Sequence, residues 1–340
     1  MVGRRQVMRS RARRRGTPVS AVLAIAIVVA GCSSGEAKAP TAMPKVTEIR
    51  VAFSPLGSTL PVHVADQKGI FERNGLRVKR TEGESLPVFA AALAHGQYDI
   101  VLSVPTLVLV GDSRGLDLQV VSRLQRSSAA EPNSVWVTKD RSIESLAQLK
   151  GKTIGVPALT GVITDSLVYL LQRSGVGRKE VKLMQLPFAS MGDHLKAGRV
   201  DAVVSAIPFN TGLAARGFRI HEDIIVRAVT DASGGKIDTG MTALFASSPT
   251  FARENPDAIR AWRKSLNEAI DYLETNDAEA RMLLQTWLKM PPEVAQSAPL
   301  PSWEVEIMPR DLQPYVEISK TVGSIKREPD VNALVWQDGP

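Results

Sequence analysis

Small hydroxyl and glycine residues cluster at four places where the chain turns from a candidate strand into a candidate helix. They are Ser54-Pro55-Leu56-Gly57-Ser58-Thr59, Ser103-Val104-Pro105-Thr106, Pro157-Ala158-Leu159-Thr160-Gly161-Val162 and Ser205-Ala206-Ile207-Pro208. Open α/β sheets bind ligands just past the carboxyl ends of their strands. A helix N-terminus at such a turn offers unpaired N–H groups and roughly half a positive charge. It can therefore hold a small polar or anionic solute without a buried Lys or Arg. Ser and Thr at these positions also serve as plain helix N-caps. Four such turns in register favour solute binding for the group as a whole.

The residue types of catalysis are present but scattered. His63, His95, His194 and His221 form no HExxH motif and no cluster at metal-ligand spacing. There is no GxSxG elbow and no glycine-rich loop followed by Lys-Ser/Thr. The single cysteine, Cys32, rules out a disulfide framework within the chain and a cysteine-rich zinc site. With no nucleophile, base or metal set in evidence, the sequence predicts a binding protein that is not an enzyme, without cofactor or metal.

The elements that must position the four turns read as alternating strands and helices. Strands are predicted at 48–54, 76–81, 100–103, 118–124 and 134–138, then at 153–156, 181–186, 202–205, 224–229 and 241–246. Pro61 suits a first helical turn and Gly69 a stop. Ser85, Pro87 and Gly96 mark the ends of another helix. Strand–helix alternation points to parallel or mixed sheets covered on both faces.

The chain also repeats itself. Leu93, Gly96, Asp99, Val101 and Ser103 recur 102 positions later as Leu195, Gly198, Asp201, Val203 and Ser205, and Pro55 recurs as Pro157. Asp99 and Asp201, equivalent by repeat, suit a structural role at the turn before each strand. We read two similar α/β lobes, the second inserted within the first. Past Ala246 the pattern becomes helical: Ile259, Trp262, Leu266, Ile270 and Leu273 recur every three or four positions as a core-facing stripe. Met282, Leu283, Trp287 and Leu288 continue it, while Trp303, in a proline-rich loop, suits a cleft rim.

Length and charge set the frame. The 340 residues suffice for about two domains of ordinary size. The net charge of +7 resides in the first 31 residues, which hold seven arginines and no acidic residue. Without them, 35 basic residues face 35 acidic ones. The body thus offers no case for nucleic-acid binding. The arginine-rich start precedes a 13-residue apolar stretch from Val19 to Gly31, shorter than the roughly 20 residues that span a bilayer. Val29-Ala30-Gly31-Cys32 resembles the bacterial lipobox, in which the cysteine is acylated and becomes the mature N-terminus. The expected organisation is a lipoprotein signal peptide (1–31), a tether (32–45), a discontinuous first lobe (46–137 and 241–340) and a second lobe (138–240). The mature protein would be exported and held on the outer face of the cell membrane by acyl chains.

The segments IRVAF, VADQKGIFERNGLRV, ALAHGQYDIVLS, SIESLAQLKGKTIGVP and LKAGRVDAVVSAIPF resemble the solute-binding proteins of the nitrate/sulfonate/thiamine-precursor group of ABC importers. The resemblance covers about residues 46–323. It includes Gly69-Ile70-Phe71 with Gly75-Leu76 after the first helix, and Leu149–Lys152 at the opening of the second lobe. It implies a two-lobe periplasmic-binding-protein fold of the second type, each lobe a mixed sheet flanked by helices, with a helical C-terminal section. Two crossing strands near 134–140 and 232–243 would form the hinge. Carried over by position, the ligand-facing residues are Ser58, Thr59, Ser103, Thr106, Thr160, Gly161, Val162, Ser205 and Pro208, with Glu82 as a further wall residue.

The partners implied are a small solute, an ABC permease and its ATPase, for a monomeric receptor. A sulfonate-like or other small anion is the first expectation for the solute. The motifs lack an Arg or Lys clamp, which leaves room for a thiamine-type pyrimidine precursor or another heterocycle. Relatives of this architecture also include enzymes, among them a chorismate dehydratase.

Overall fold

The computed structural model describes residues 46–338. The expected signal peptide (1–31) and tether (32–45), with Cys32, lie outside the described residues. The chain begins with β1 (Thr47–Phe53), α1 (Leu60–Gln67), α2 (Ile70–Arg73), β2 (Leu76–Glu82), α3 (Leu86–Ala94), β3 (Ile100–Ser103), α4 (Pro105–Ser113) and β4 (Gln119–Ser127). It then crosses to β5 (Ser134–Thr138), β6 (Thr153–Val156), α5 (Val162–Arg173), β7 (Lys182–Gln185), α6 (Phe188–Lys196), β8 (Ala202–Ala206), α7 (Phe209–Ala215), β9 (Arg219–Asp223) and α8 (Ile224–Ala232). It returns through β10 (Gly240–Ser247), α9 (Pro249–Glu254), α10 (Pro256–Thr275), α11 (Asp277–Thr286), α12 (Pro292–Ser297), β11 (Ser302–Trp303), α13 (Pro309–Thr321) and α14 (Val331–Leu334).

The two sheets share one plan. In the first, of order β11-β4-β10-β3-β1-β2, β1 lies parallel between β2 and β3, and β10 runs antiparallel between β3 and β4. In the second, of order β7-β6-β8-β5-β9, β6 lies parallel between β7 and β8, and β5 runs antiparallel between β8 and β9. Val51, Ala52 and Phe53, and likewise Ile154, Gly155 and Val156, are buried in succession. Such unbroken burial suits a parallel strand covered on both faces. This is the α/β architecture expected from the sequence, with its helical C-terminal part.

Asp99 and Asp201 do the same structural work in each lobe. The Asp99 N–H donates to Arg50 O (2.9 Å), and its Oδ2 accepts the Arg50 N–H (2.7 Å). Asp201 makes the same two bonds to Thr153, both at 2.8 Å. Each aspartate thus fixes the register of the first strand against the third. That register also refines the repeat. Val51 faces Ile100 and Ile154 faces Ala202, so the first strands are offset by 103 while the third strands keep 102. The counterpart of Pro157 is therefore Ser54, and Leu56 matches Leu159.

Three sequence expectations need correction. The segment 224–229 is helical, not a strand. The Asp223 carboxylate caps it by accepting the Ile225 and Val226 N–H groups at 2.8 and 3.0 Å, and Ile224, Ile225, Ala228 and Val229 fall on one buried helical face. A β-branched run had concealed the cap. The first change of sheet comes between Ser127 and Ser134, since β5 pairs with β8 and β9 of the second sheet. That places it ahead of the boundary read at 137/138. On α11, Met282 is exposed while Leu283 and Leu284 are buried.

The lobes join along a packed seam. There α5 lies against α4, α8 and α13, within one buried apolar cluster that reaches both sheets. Tyr315 on α13 donates to Met241 O (3.0 Å) and accepts the Met241 N–H (2.5 Å), which fixes the start of β10 where the chain returns. On the far face of the first sheet, α10 buries its predicted stripe, and Trp262 stacks on Phe71 at 5.4 Å.

Candidate functional site

The carboxyl ends of the parallel strands of both sheets open into a single cleft. In the first lobe, the turn after β1 is closed from inside by Thr59. Its hydroxyl lies 2.8 Å from Ser54 O and 2.9 Å from Leu56 O, and accepts the Leu56 N–H at 3.0 Å. With Thr59 spent on the turn, Leu56, Gly57 and Ser58 face the cleft. In the second lobe, Gly161 precedes α5 with φ +108°, a conformation that side-chain-bearing residues rarely adopt. Thr164 Oγ1 donates to Ala158 O at 2.5 Å and braces the same loop. The α5 N-terminus carries no side-chain cap, and it meets the cleft at Thr160, Gly161 and Val162.

The cleft holds a cavity of about 750 Å³, a size suited to a small organic ligand. Its floor is made of uncharged polar groups on the strands that cross between lobes. Gln125 Oε1 on β4 accepts the Thr242 hydroxyl of β10 at 2.9 Å. At the start of β5, Ser134 Oγ donates to Asn133 Oδ1 at 3.0 Å. The Asp223 Oδ2 atom fixes that corner by accepting the Asn133 and Ser134 N–H groups at 2.7 and 2.9 Å. Burial pushes the Asp223 carboxyl upward in pKa, against the pull of its four N–H donors.

The walls are apolar. Phe188 and Phe209, at the starts of α6 and α7, stack at 5.6 Å on the second-lobe side. Leu56, Leu284, Leu288 and Met290 line the first-lobe side. Glu84, exposed at the rim, is the one charged residue of the lining, which contains no Lys, Arg or His. Among the described residues no group of His, Cys, Asp and Glu could hold a metal ion.

Of the residues singled out from the sequence, Ser58, Ser103, Thr160, Gly161, Val162 and Pro208 line the cavity. Thr59, Thr106 and Ser205 do not. Thr59 closes its turn, Thr106 is buried in the first turn of α4, and Ser205 pairs with Val135 inside the second sheet. Glu82 also lies outside, where its Oε1 accepts the Trp287 indole N–H at 3.4 Å. The hydroxyls of Ser103, Thr106 and Ser205 are covered and have no hydrogen-bond partner in the protein. The N-caps of α4, α5 and α7 are Val104, Gly161 and Pro208, so Ser103, Thr106, Thr160 and Ser205 do not serve as caps.

Sequence reasoning missed the floor and the aromatic wall. Gln125 falls one residue past the strand read at 118–124 and Thr242 stands singly in the one read at 241–246, and their meeting depends on which strands pair. A signal for the phenylalanines did exist. Leu186-Pro187-Phe188 and Ile207-Pro208-Phe209 repeat an apolar-Pro-Phe step at the ends of two neighbouring strand units.

The sequence pattern of the NMT1/THI5-like family matches residues 58–280. The chain belongs to that family. Similar proteins include a Haemophilus influenzae protein provisionally named for thiamine biosynthesis, 33% identical over 42% of this chain and 44% of that one. The riboflavin-binding protein RibY of Chloroflexus aurantiacus is 24% identical over 80% of this chain and 77% of its own. Among solved structures, the periplasmic aliphatic sulphonate-binding protein SsuA of Escherichia coli superposes with a TM-score of 0.70 at 16% identity, over 87% of this chain and 93% of that one. That likeness is one of fold: two sheets with flanking helices and a helical C-terminal part.

Proposed function

We propose that this chain is the solute receptor of an ABC importer, and that its cleft takes an uncharged, ring-bearing solute such as a pyrimidine or flavin-type heterocycle. The observation that carries the reading is the lining: a floor of amides and hydroxyls between apolar and aromatic walls, with no cationic side chain. Burying an anion without a partner costs several kcal/mol (roughly, for a real protein), whereas a neutral ring gains from apolar walls and pairs its heteroatoms with Gln125, Thr242 and Asn133. The riboflavin-binding relative supports the same class. The sulfonate reading draws on the E. coli fold neighbour and on the helix N-termini without side-chain caps that meet the cleft, those of α4 and α5 among them.

Function would follow from closure. Solute settles on one lobe, the other completes its hydrogen bonds, and the closed form gains population. That form docks on a permease driven by a cytoplasmic ATPase. The lining offers only Glu84 and hydroxyls as reactive groups, which suits binding without turnover. The leader and Cys32 suit export and acylation, with a monomer tethered to the outer face of the membrane. Fatty-acid label should enter the wild type and not Cys32→Ala.

Thermal-shift titration of residues 46–340 with riboflavin, hydroxymethylpyrimidine and alkanesulfonates tests the ligand class. A ligand at about 100 times its Kd adds about 2.7 kcal/mol of stability. Stabilisation by heterocycles alone supports the proposal. Stabilisation by sulfonates alone overturns it in favour of the anion reading, and chemical conversion of a bound compound overturns the receptor role.

A further inference from the structure

We propose that Trp303 is a positioning residue of the cavity: its indole N–H holds the Leu56–Ser58 turn against the cleft and ties it to β4, the strand that leads into the crossing between the lobes. The inference rests on the receptor reading above only in its binding arm. Trp303 is nearly fully buried, at 7% exposure. Its Nε1 donates to Ser58 O at 3.1 Å and to Gly57 O at 3.3 Å. Thr59 closes this turn from inside and Trp303 holds it from outside, so both carbonyls are occupied away from the cavity.

The same residue is paired by its backbone to the floor of the site. In β11, Trp303 lies opposite Gln125 of β4, the residue whose Oε1 receives the Thr242 hydroxyl. The segment around it forms a strap across the first lobe. Pro301 lies in the cavity wall, and its Cγ is 3.1 Å from where a Cβ on Gly57 would stand. Ser302 Oγ donates to Glu131 Oε2 at 2.8 Å, in the crossing between the lobes. Glu304 accepts from Arg123 of β4 at 2.7 Å. One short segment therefore touches the cavity turn, β4 and the crossing, and Trp303 is where the first two meet.

Trp303→Phe keeps the packing and removes the donor. Trp262→Phe is the matched control, because its indole N–H reaches only Ser122 Oγ of the core, at 3.4 Å. The first measurement is amide hydrogen exchange in the free protein. We expect Thr59 and Leu60, whose N–H groups bond within the turn, to exchange about tenfold faster in Trp303→Phe with other amides unchanged, the scale set by one lost hydrogen bond. Trp262→Phe should move core amides together and spare the turn. Gly57→Ala, which presses on Pro301 from the other side, should reproduce the local effect if Trp303→Phe fails to fold.

The second measurement is the Kd for riboflavin, hydroxymethylpyrimidine and an alkanesulfonate. A compound that binds the wild type should bind Trp303→Phe about fivefold to tenfold more weakly, and Trp262→Phe within about twofold of wild type. Unchanged exchange at Thr59 and Leu60 overturns the inference, as does an unchanged Kd in Trp303→Phe. If no compound binds the wild type, the receptor reading fails for this panel and the exchange result still decides the role of Trp303.

Discussion

The two lobes meet twice, along the seam and across the cleft, and the two meetings are built from different material. Along the seam, α4, α5, α8 and α13 bring leucine, isoleucine and valine into one buried cluster, with polar contacts as isolated as the Tyr315–Met241 pair. Across the cleft, amides, hydroxyls and half-exposed aromatic rings surround a cavity of about 750 Å³. A packed interior loses contacts and creates a void with every atom removed. A cleft side chain already faces open space, so its removal disturbs the apo fold little. The seam therefore sets stability and the cleft sets recognition. They touch where the crossing strands pass: a Cβ on Gly240 would meet Ser127 Oγ at 2.7 Å and the α8 backbone at Val226 N at 3.3 Å.

The contrast should break most visibly at Leu312 of α13, fully buried in the seam. Leu312→Ala should cost about 2–5 kcal/mol, read by urea denaturation, with ligand affinity retained wherever the protein is folded. A loss below about 1 kcal/mol would mean that the seam is loosely packed and that the lobes are held chiefly by their crossing strands.

Asp165 is the exception within the seam, and it sharpens the comparison. This buried carboxylate on α5 accepts from Ser324 Oγ at 3.1 Å, and burial pushes its pKa up from 3.8 to about 6. A folded value above the unfolded one means that protonation favours the folded state. The contribution is complete below pH 3.8 and is lost as pH rises through about 6. Asp165→Asn removes the buried charge, so it should stabilise the protein at pH 7.5. A shift of roughly two pKa units sets a ceiling of about 3 kcal/mol, reduced by the new amide's unpaired donor. The gain should shrink as the pH falls from 7 to 4. A gain that persists at pH 4 would show that the charge is not its source.

Legibility in the sequence follows the same division. Features carried by local pattern were readable: the strands β1 and β6, the prolines that open helices and the glycines that follow them, the stripe on α10, and the two aspartates at matching turns. The repeat even exposed the two-lobe plan. Features set by long-range pairing were not readable. Gln125 and Thr242 are 117 positions apart, and nothing local says that β4 and β10 are neighbours. The cap at Asp223 was readable in principle, but a run of Ile and Val carries a strand signal stronger than one carboxylate. Trp303 was read as a residue of the cleft rim, but it is buried in β11 behind the Gly57–Ser58 turn and outside the cavity lining, and its work as a donor to Ser58 depends on a contact 245 positions away.

Gly161→Ala tests the cleft backbone. No atom lies within 4 Å of its added Cβ, so the cost is conformational strain at φ +108°, about 1–2 kcal/mol. If the α5 N-terminus contacts the solute, affinity should fall as the loop shifts. A destabilised variant with wild-type affinity would remove that terminus from the site.

Phe209→Ala is the smallest expected change to the fold and the cleanest separation of the two regions. Phe209 is 41% exposed and its main neighbour is the stacked ring of Phe188. Such a pair is worth about 0.5–1.5 kcal/mol when packed, so the loss in urea should stay below about 1 kcal/mol. Affinity for a ring-bearing solute should nevertheless fall about tenfold, because the stacking surface goes with the side chain. Phe209→Leu keeps the apolar bulk and loses only the flat face, so it should restore binding of a non-aromatic solute but not of a heterocycle. Equal rescue of both would make Phe209 a simple apolar wall, and the specificity of the cleft would then rest on Gln125, Thr242 and Asn133 alone.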